Sequence, residues 1–458
     1  MKDLINLKKK NYKIEINWQD LTKKSIFFLN THNKKNFINF QKHAIKKNCS
    51  YIICSDKYRN EKITGLIYFY FKDKEEQYKI AKLFFKPLKL KLVFLTGTNG
   101  KTSVAYGTHQ LMTLNKFKSC YIGTLGFYIN SKKIKNLKNT TPSFFEILML
   151  LSHAERMKAS YAFIEASSIG YKEGRLGYLK YDYCLLTNLK SDHLDYHGNI
   201  SNYHNSKLNI INNHYKKNSK ILIQDQIKNK KLDKIQNKIT LQDDFIKKYK
   251  FNIIKKNRYF ELITNHRTYK IMTFNNFVIK NTISIILLYF SILNKWPKKL
   301  TNKIYAKGRA EIVYDDKEAI IMVDYAHSSD AFENLLKSIP NYYKNKIVLY
   351  GCGGDRDLTK RPKIAKTVSK YSSLQLITDD NPRNENPKSI RDTLLRNSKN
   401  AISIANREKA IKYGVKLIKK KGGILVVAGK GHENTQIIKN KINKFSDQLI
   451  IKKYAKNI

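Results

Sequence analysis

Gly97, Gly100, Lys101 and Thr102, in the stretch Thr96-Gly97-Thr98-Asn99-Gly100-Lys101-Thr102-Ser103, are residue types that can hold a polyphosphate. Glycines let backbone N–H groups close on phosphate oxygens, and a helix N-terminus adds positive potential. Lys101 would meet the β- and γ-phosphates, and Thr102 offers a hydroxyl to Mg²⁺. The spacing Gly97-x-x-Gly100-Lys101-Thr102 is shorter than the usual G-x-x-x-x-G-K-[ST], and a glycine loop can also be a plain surface turn. The flanks favour a nucleotide: an apolar run, Leu92–Leu95, precedes the glycines, and a good helix former, Ser103–Leu114, follows them.

Further groups able to do chemistry recur at the ends of apolar runs. Glu165 closes Tyr161-Ala162-Phe163-Ile164-Glu165, where a carboxylate suits a Mg²⁺ ligand; the alternative is a solvated strand-end acid. Asp192, His193 and Asp195 cluster after the next run and could hold a second cation. Arg383 follows Asp380-Asn381-Pro382, and its planar fork suits bidentate capture of a carboxylate. Asp380 and Glu433 could hold an ammonium beside it, which together is what an amino acid zwitterion requires. A surface ion pair is the plainer reading. On composition alone Lys207 is one more surface lysine.

These groups need elements to position them. Residues 1–88 carry short apolar runs (Ser25–Leu29, Tyr51–Cys54, Gly65–Phe71) around a helical stretch, Phe37–Lys47, with Pro87 in a linker. From Leu90 to about Tyr305, strands Ala162–Ala166, Tyr183–Thr187 and Ile221–Gln224 alternate with helices Phe144–Lys158 and Asn281–Leu293; residues 228–270 read only as loops and weak strands. Beyond Lys307, strands Ile320–Val323, Ile347–Tyr350, Leu374–Thr378 and Ile424–Ala428 alternate with helices Ala331–Ser338, Pro362–Tyr371, Ser389–Asn397 and Arg407–Lys419. This alternation predicts parallel sheets with ligands at the carboxyl ends of the strands. The expected fold is α/β in three domains: a small N-terminal α/β domain (1–88), a central P-loop parallel-sheet ATPase domain (89–306) and a C-terminal Rossmann-like domain (307–458).

With 458 residues the chain exceeds a single core, and 42% hydrophobic content is that of a globular protein. No apolar run is expected to reach membrane-spanning length, and the N-terminus lacks the pattern of a signal peptide, so a cytoplasmic protein without membrane insertion is expected. A net charge of +52, from 88 basic and 36 acidic residues, raises a nucleic-acid partner. The lysines, however, are spread over the whole chain instead of interleaving with aromatics on one stretch, so a nucleic-acid-binding ATPase is disfavoured. Five cysteines without a C-x-x-C pair suggest a reduced compartment with neither a zinc site nor a disulfide framework.

The motifs together resemble the Mur ligases, in the branch that adds the third residue of the peptidoglycan stem peptide. GTNGKT (97–102), NTTP (139–142), EASS (165–168), TNLKSDHLDYHG (187–198), GRAEIV (308–313), VDYAH (323–327), GCGGDRD (351–357), DNPR (380–383), GKGHE (429–433) and FSD (445–447) stand in family order. The resemblance implies a monomer that uses ATP and Mg²⁺ to join meso-diaminopimelate to UDP-MurNAc-L-Ala-D-Glu. Its three domains would take the UDP-sugar peptide, ATP and the incoming amino acid. Catalytic roles would fall to Lys101, Glu165, His193 and Lys207. ATP would meet Gly97, Thr98, Asn99, Gly100, Lys101, Thr102, Ser103, Asn281, Arg309 and Asp324. Thr140, Thr141, Ser167 and Arg175 match positions that contact the muramoyl dipeptide. Arg356, Asp380, Asn381, Pro382, Arg383, Gly429 and Glu433 match the diaminopimelate pocket. Metal would lie on Thr102, Glu165, His193 and Lys207, the last as N6-carboxylysine. A lysine-adding relative should lack DNPR, and a folylpolyglutamate synthase-like ligase should lack both NTTP and DNPR. Three stretches depart from the pattern: Gln19-Asp20-Leu21-Thr22 replaces D-S-R, Ile169 replaces a histidine, and Phe277-Val278-Ile279-Lys280-Asn281 replaces F-N-x-x-N.

Overall fold

Parallel strands that are apolar along their whole length need cover on both faces, and two large sheets of this chain are built so. The computed structural model describes residues 1–224 apart from 32, then 227, 232, 238–240, 252–255, 259–264, 267–271, 273 and 275–300, and finally 307–456 apart from 317. The chain divides into two compact units, residues 1–105 with 112–240 and residues 106–111 with 241–458. The predicted boundary at 306/307 falls at the edge of residues outside those described.

The first unit holds two sheets. Lys13–Glu15, Ser25–Leu29, Tyr51–Ser55 and Ile67–Phe71 pair in that order, all parallel. Ser25–Leu29 is buried at every residue. The helix Lys34–Lys46 starts where the Asn33 side chain accepts from Asn36 N at 3.1 Å, and it seats Phe37 and Ala44 against Phe27, Leu29 and Ile52.

The second sheet has eight strands, in the order Lys238–Thr240, Tyr215–Ile223, Tyr181–Leu186, Lys91–Thr96, Tyr161–Glu165, Ser119–Gly123, Gly126–Ile129, Lys132–Lys135. The first six are parallel and the last two turn back antiparallel. Lys91–Thr96 is therefore central, and its carboxyl end delivers the glycine turn, as the sequence predicts. The strands at 119–135 were not legible, because their apolar runs are short and the last of them is the sheet's edge strand.

In the second unit a six-stranded sheet runs Glu311–Asp315, Ala319–Asp324, Gly423–Ala428, Lys346–Tyr350, Leu374–Ile377, Ala401–Ser403. All pairs are parallel except the edge strand Glu311–Asp315. Strand side chains alternate faces, and the core divides accordingly. Ile320, Met322, Val348 and Val426 meet Phe332, Leu335 and Ile364; Ile321, Val323, Leu349 and Val427 meet Ile411, Val415 and Ile451. A hairpin, Thr435–Ile438 with Lys441–Lys444, follows the last sheet strand and was not expected.

Within residues 228–270, Asn252–Lys255, Phe260–Ile263 and Thr268–Ile271 form an antiparallel sheet, the last strand ending one residue beyond that stretch; much of the rest of it lies outside the described residues. The helix Asn276–Leu293 corrects one expectation. Among the described residues it is long and apolar enough to cross a membrane by length and composition, but 72% of it is buried inside the protein, as in a core helix.

Candidate active site

Thr96 ends a buried strand, and the chain then needs a turn that closes tightly against its neighbour. Gly97 has φ 133° and Gly100 φ 89°, both in the region where L side chains are strained. A Cβ on Gly97 would stand 2.0 Å from Thr187 Oγ1. The loop is pinned from the end of the Tyr181–Leu186 strand. Thr187 Oγ1 donates to Asn99 O at 2.6 Å, Asn188 Nδ2 donates to the same oxygen at 3.0 Å, and Asn99 N returns a bond to Asn188 Oδ1 at 3.0 Å. Lys101 opens the helix Lys101–Leu114, and its Nζ donates back to Gly97 O at 2.7 Å and Thr98 O at 2.9 Å.

Glu165 is fully buried at the end of the adjacent strand. Its Oε2 accepts from Thr102 Oγ1 at 2.8 Å and Thr124 Oγ1 at 3.2 Å; its Oε1 accepts from Thr124 N at 3.0 Å and from the Tyr121 hydroxyl. Burial, then the nearby carboxylate, holds the Tyr121 phenol well above its ordinary pKa, so it stays a donor. Thr102 and Glu165 together form a hard-oxygen pair, the donor chemistry that Mg²⁺ takes.

The same network extends to residues of the NTTP and EASS motifs. Thr140 Oγ1 lies 3.1 Å from Thr124 Oγ1. Thr141 Oγ1 donates to Glu165 O at 2.7 Å and lies 2.9 Å from Ser167 Oγ. Arg175 donates to Thr141 O at 2.8 Å.

Lys207, on the helix Ile200–Asn213, is buried, which overturns the surface reading that composition favours. Its Nζ donates to Gly97 O at 2.9 Å and lies 4.3 Å from the centre of the Tyr203 ring. Burial, reinforced by Lys101, holds its pKa well below that of an ordinary lysine, which brings the neutral amine within easier reach. His193 behaves differently. It sits at φ 49° with an exposed side chain, its Nε2 3.6 Å from Asp192 Oδ2. Among the described residues no group of three or more His, Cys, Asp or Glu side chains comes together to hold a metal. The Asp195 side chain lies outside the described residues.

The second unit carries its own constellation. Arg383 has φ 49°, an unusual conformation for a bulky residue. The hairpin 435–444 holds it there: Arg383 N donates to Ile437 O at 3.2 Å and Lys439 N to Arg383 O at 2.7 Å. Its guanidinium donates to Gly354 O at 2.8 Å. Among the described residues it has no carboxylate in ion-pair range; that role belongs to Arg391 with Asp379. Gly354 N meets Asn381 O at 2.9 Å, and a Cβ on Gly354 would fall 1.9 Å from Pro382 O, so the 351–357 and 380–383 loops lie in contact. A Cβ on Gly429 would come 2.5 Å from Asp380 Oδ2. Burial raises the pKa of Asp380, and Lys430 opposes that most strongly. Asn381 Nδ2 donates to Glu433 Oε2 at 2.8 Å.

Nearby, Asp324 accepts from Ala310 N at 2.6 Å and Ala326 N at 2.7 Å, while the Arg309 guanidinium stacks 4.7 Å from the Tyr325 ring centre. Arg356 is exposed on its loop, and Asn281 is half-buried on the Asn276–Leu293 helix.

Two family models match: the Mur ligase middle domain over residues 95–288, and the Mur ligase, glutamate ligase domain over 308–431. A relative from Buchnera aphidicola subsp. Schizaphis graminum, named UDP-N-acetylmuramoyl-L-alanyl-D-glutamate--2,6-diaminopimelate ligase, is 32% identical over 97% of this chain and 95% of its own length. The chain belongs to the Mur ligase family. A relative of the same name from Clostridium botulinum is 34% identical over 81% of this chain and 78% of its own. Among solved structures, the MurF ligase of Thermotoga maritima in complex with ADP shares the fold with a TM-score of 0.63 at 14% identity, covering 100% of this chain and 99% of that one.

For this Mur ligase, the structure gathers Gly97 to Thr102, Thr140, Thr141, Glu165, Ser167, Arg175 and Lys207 in one unit. It gathers Arg309 and Asp324, and 380–383 with Gly429 and Glu433, in the other. Sequence reasoning missed Tyr121, Thr124 and Arg407, and it quoted Thr187, Asn188 and Lys430 only inside motifs, with no role of their own. Thr124 and Thr187 stand at strand ends, where the other site residues were found, so position alone could have signalled them.

Proposed function

We propose that this Mur ligase joins meso-diaminopimelate to the D-Glu carboxylate of UDP-MurNAc-L-Ala-D-Glu at the expense of ATP. The carrying observation is the Asp380–Arg383 loop, strained at Arg383 and seated against Glu433 and the 351–357 loop; the names of the full-length relatives favour the same substrates. Residues 1–88 would bind the UDP-sugar, 89–306 ATP, and 307–458 the amino acid, in a cytoplasmic monomer.

A carboxylate oxygen attacks the γ-phosphorus of ATP, the bond to the bridging oxygen breaks, and ADP leaves. The amine then attacks the acyl carbon, sheds a proton and expels phosphate, leaving the amide. Bringing two anions together is the electrostatic difficulty, and Lys101 would neutralise the γ-phosphoryl group. Thr102 and Glu165 would hold Mg²⁺, which supplies further positive charge to the phosphates when bound. The lowered pKa of Lys207 suits reaction of its neutral amine with CO₂ to a carbamate, an anion able to hold metal. A ¹³C-carbonate NMR experiment should show a carbamate resonance that vanishes in Lys207→Ala, and activity lost in that variant should return in part with a small carboxylic acid. Wild-type activity in the variant rules the role out.

Arg383 would take the distal carboxylate of diaminopimelate. Lysine lacks that carboxylate and would leave the guanidinium unpaired. The test is phosphate release with ATP, Mg²⁺, the UDP-dipeptide and either amino acid. The wild type should prefer diaminopimelate, and Arg383→Ala should cut that preference by about 100-fold. Faster release with lysine would favour a lysine-adding enzyme, and an unchanged ratio in the variant would discredit the pocket.

A further inference from the structure

Among the described residues, Lys207 and Lys430 are the two buried lysines. Lys430 lies between Gly429 and Gly431, both at positive φ, so its backbone path is set by two residues that have no side chain to compete for space. An ammonium removed from water needs charged or hydrogen-bonding partners to offset its desolvation. Its Nζ finds three. It donates to Asn381 Oδ1 at 2.8 Å and to Glu433 Oε2 at 3.3 Å, and it lies 3.7 Å from Asp380 Oδ1. All three partners belong to the amino-acid pocket assigned above.

The hydrogen bonds also fix which way Asn381 points. Its Oδ1 accepts from Lys430 Nζ and from Ile437 N at 3.0 Å, so its Nδ2 faces Glu433 Oε2. Turning that amide over would set Nδ2 against two donors. The Asp380 carbonyl is held separately, by Gln436 Nε2 at 2.8 Å. Two carboxylates, Asp380 and Glu433, face the single Lys430 ammonium, an arrangement that suits one further cation such as a substrate ammonium.

We propose that Lys430 is a positioning residue for amino-acid recognition, its buried ammonium fixing the orientation of Asn381, Asp380 and Glu433 without itself touching the substrate. The proposal rests on the diaminopimelate reading.

It is tested by steady-state phosphate release with the full chain, varying diaminopimelate and ATP in turn, for wild type, Lys430→Met and Lys430→Gln. Lys430→Met should raise KM for diaminopimelate about 30-fold or more and leave KM for ATP within about twofold, with Lys430→Gln between the two because it keeps a donor. Parallel rises in both KM values, or an unchanged KM for diaminopimelate, overturn the proposal. Failure of both variants to fold does so too, because it makes the lysine a purely structural one. A wild type that releases no phosphate with diaminopimelate sinks the function itself, whereas an active wild type with an unaffected Lys430→Met sinks only the positioning role.

Discussion

Lys101→Met lowers phosphate release with the full substrate set by about 1000-fold, because a single fixed cation at a transferring phosphoryl group is worth that much in a site of this kind. The fold should survive the change. The ammonium is bonded to two loop carbonyls, Gly97 O and Thr98 O, and methionine keeps the length of the side chain. The expected pattern is a collapsed kcat with a melting temperature close to that of wild type. A loss below about tenfold would place the γ-phosphoryl charge on other groups.

Much of this site was legible because its logic is local. Strand, glycine turn, Lys-Thr and helix follow one another within residues 91–114, and φ 133° at Gly97 supplies the backbone reason for the glycine. The two-sided C-terminal sheet was legible for a similar reason: continuous apolar strands alternate with helices. What escaped depends on distant partners. Tyr121 reaches Glu165 across 44 residues, and Lys430 reaches Asn381 across 49. Neither pairing has a periodicity to announce it. Lys207 and Lys430 were hidden by composition, since a chain with 88 basic residues offers no means of picking out the few that are buried. His193 and Asp192 differ from expectation in the opposite direction. Adjacent acids and a histidine look like ligands, but the left-handed turn at His193 leaves its side chain in solvent beside Asp192.

Arg407→Met is expected to be among the most destabilising single changes in the second unit. Arg407 and Asp447 are both fully buried and pair through two bonds of 2.8 Å, Nε to Oδ1 and Nη2 to Oδ2; the same Nη2 donates to Ala428 O at 2.9 Å. Burial opposes the charge on the guanidinium, but Asp447, helped by Asp380 and Glu433, offsets it and holds the pKa above its ordinary value. Removing the cation strands a buried carboxylate and a strand-end carbonyl, at a cost of about 3–5 kcal/mol, which for a domain of this size lowers the melting temperature by about 10 °C. The double variant Arg407→Met with Asp447→Leu separates the causes. If the damage comes from the stranded charge, the second change should recover most of the loss, because apolar pairs of similar volume replace buried ion pairs at little cost. If instead the bond to Ala428 O carries the effect, the double variant stays as unstable as the single one. Because Ala428 immediately precedes Gly429 and Lys430, that second outcome would extend to the amino-acid pocket, and KM for diaminopimelate would rise in both variants alike. A melting temperature unchanged in Arg407→Met would mean that the pair contributes no more than its apolar stem.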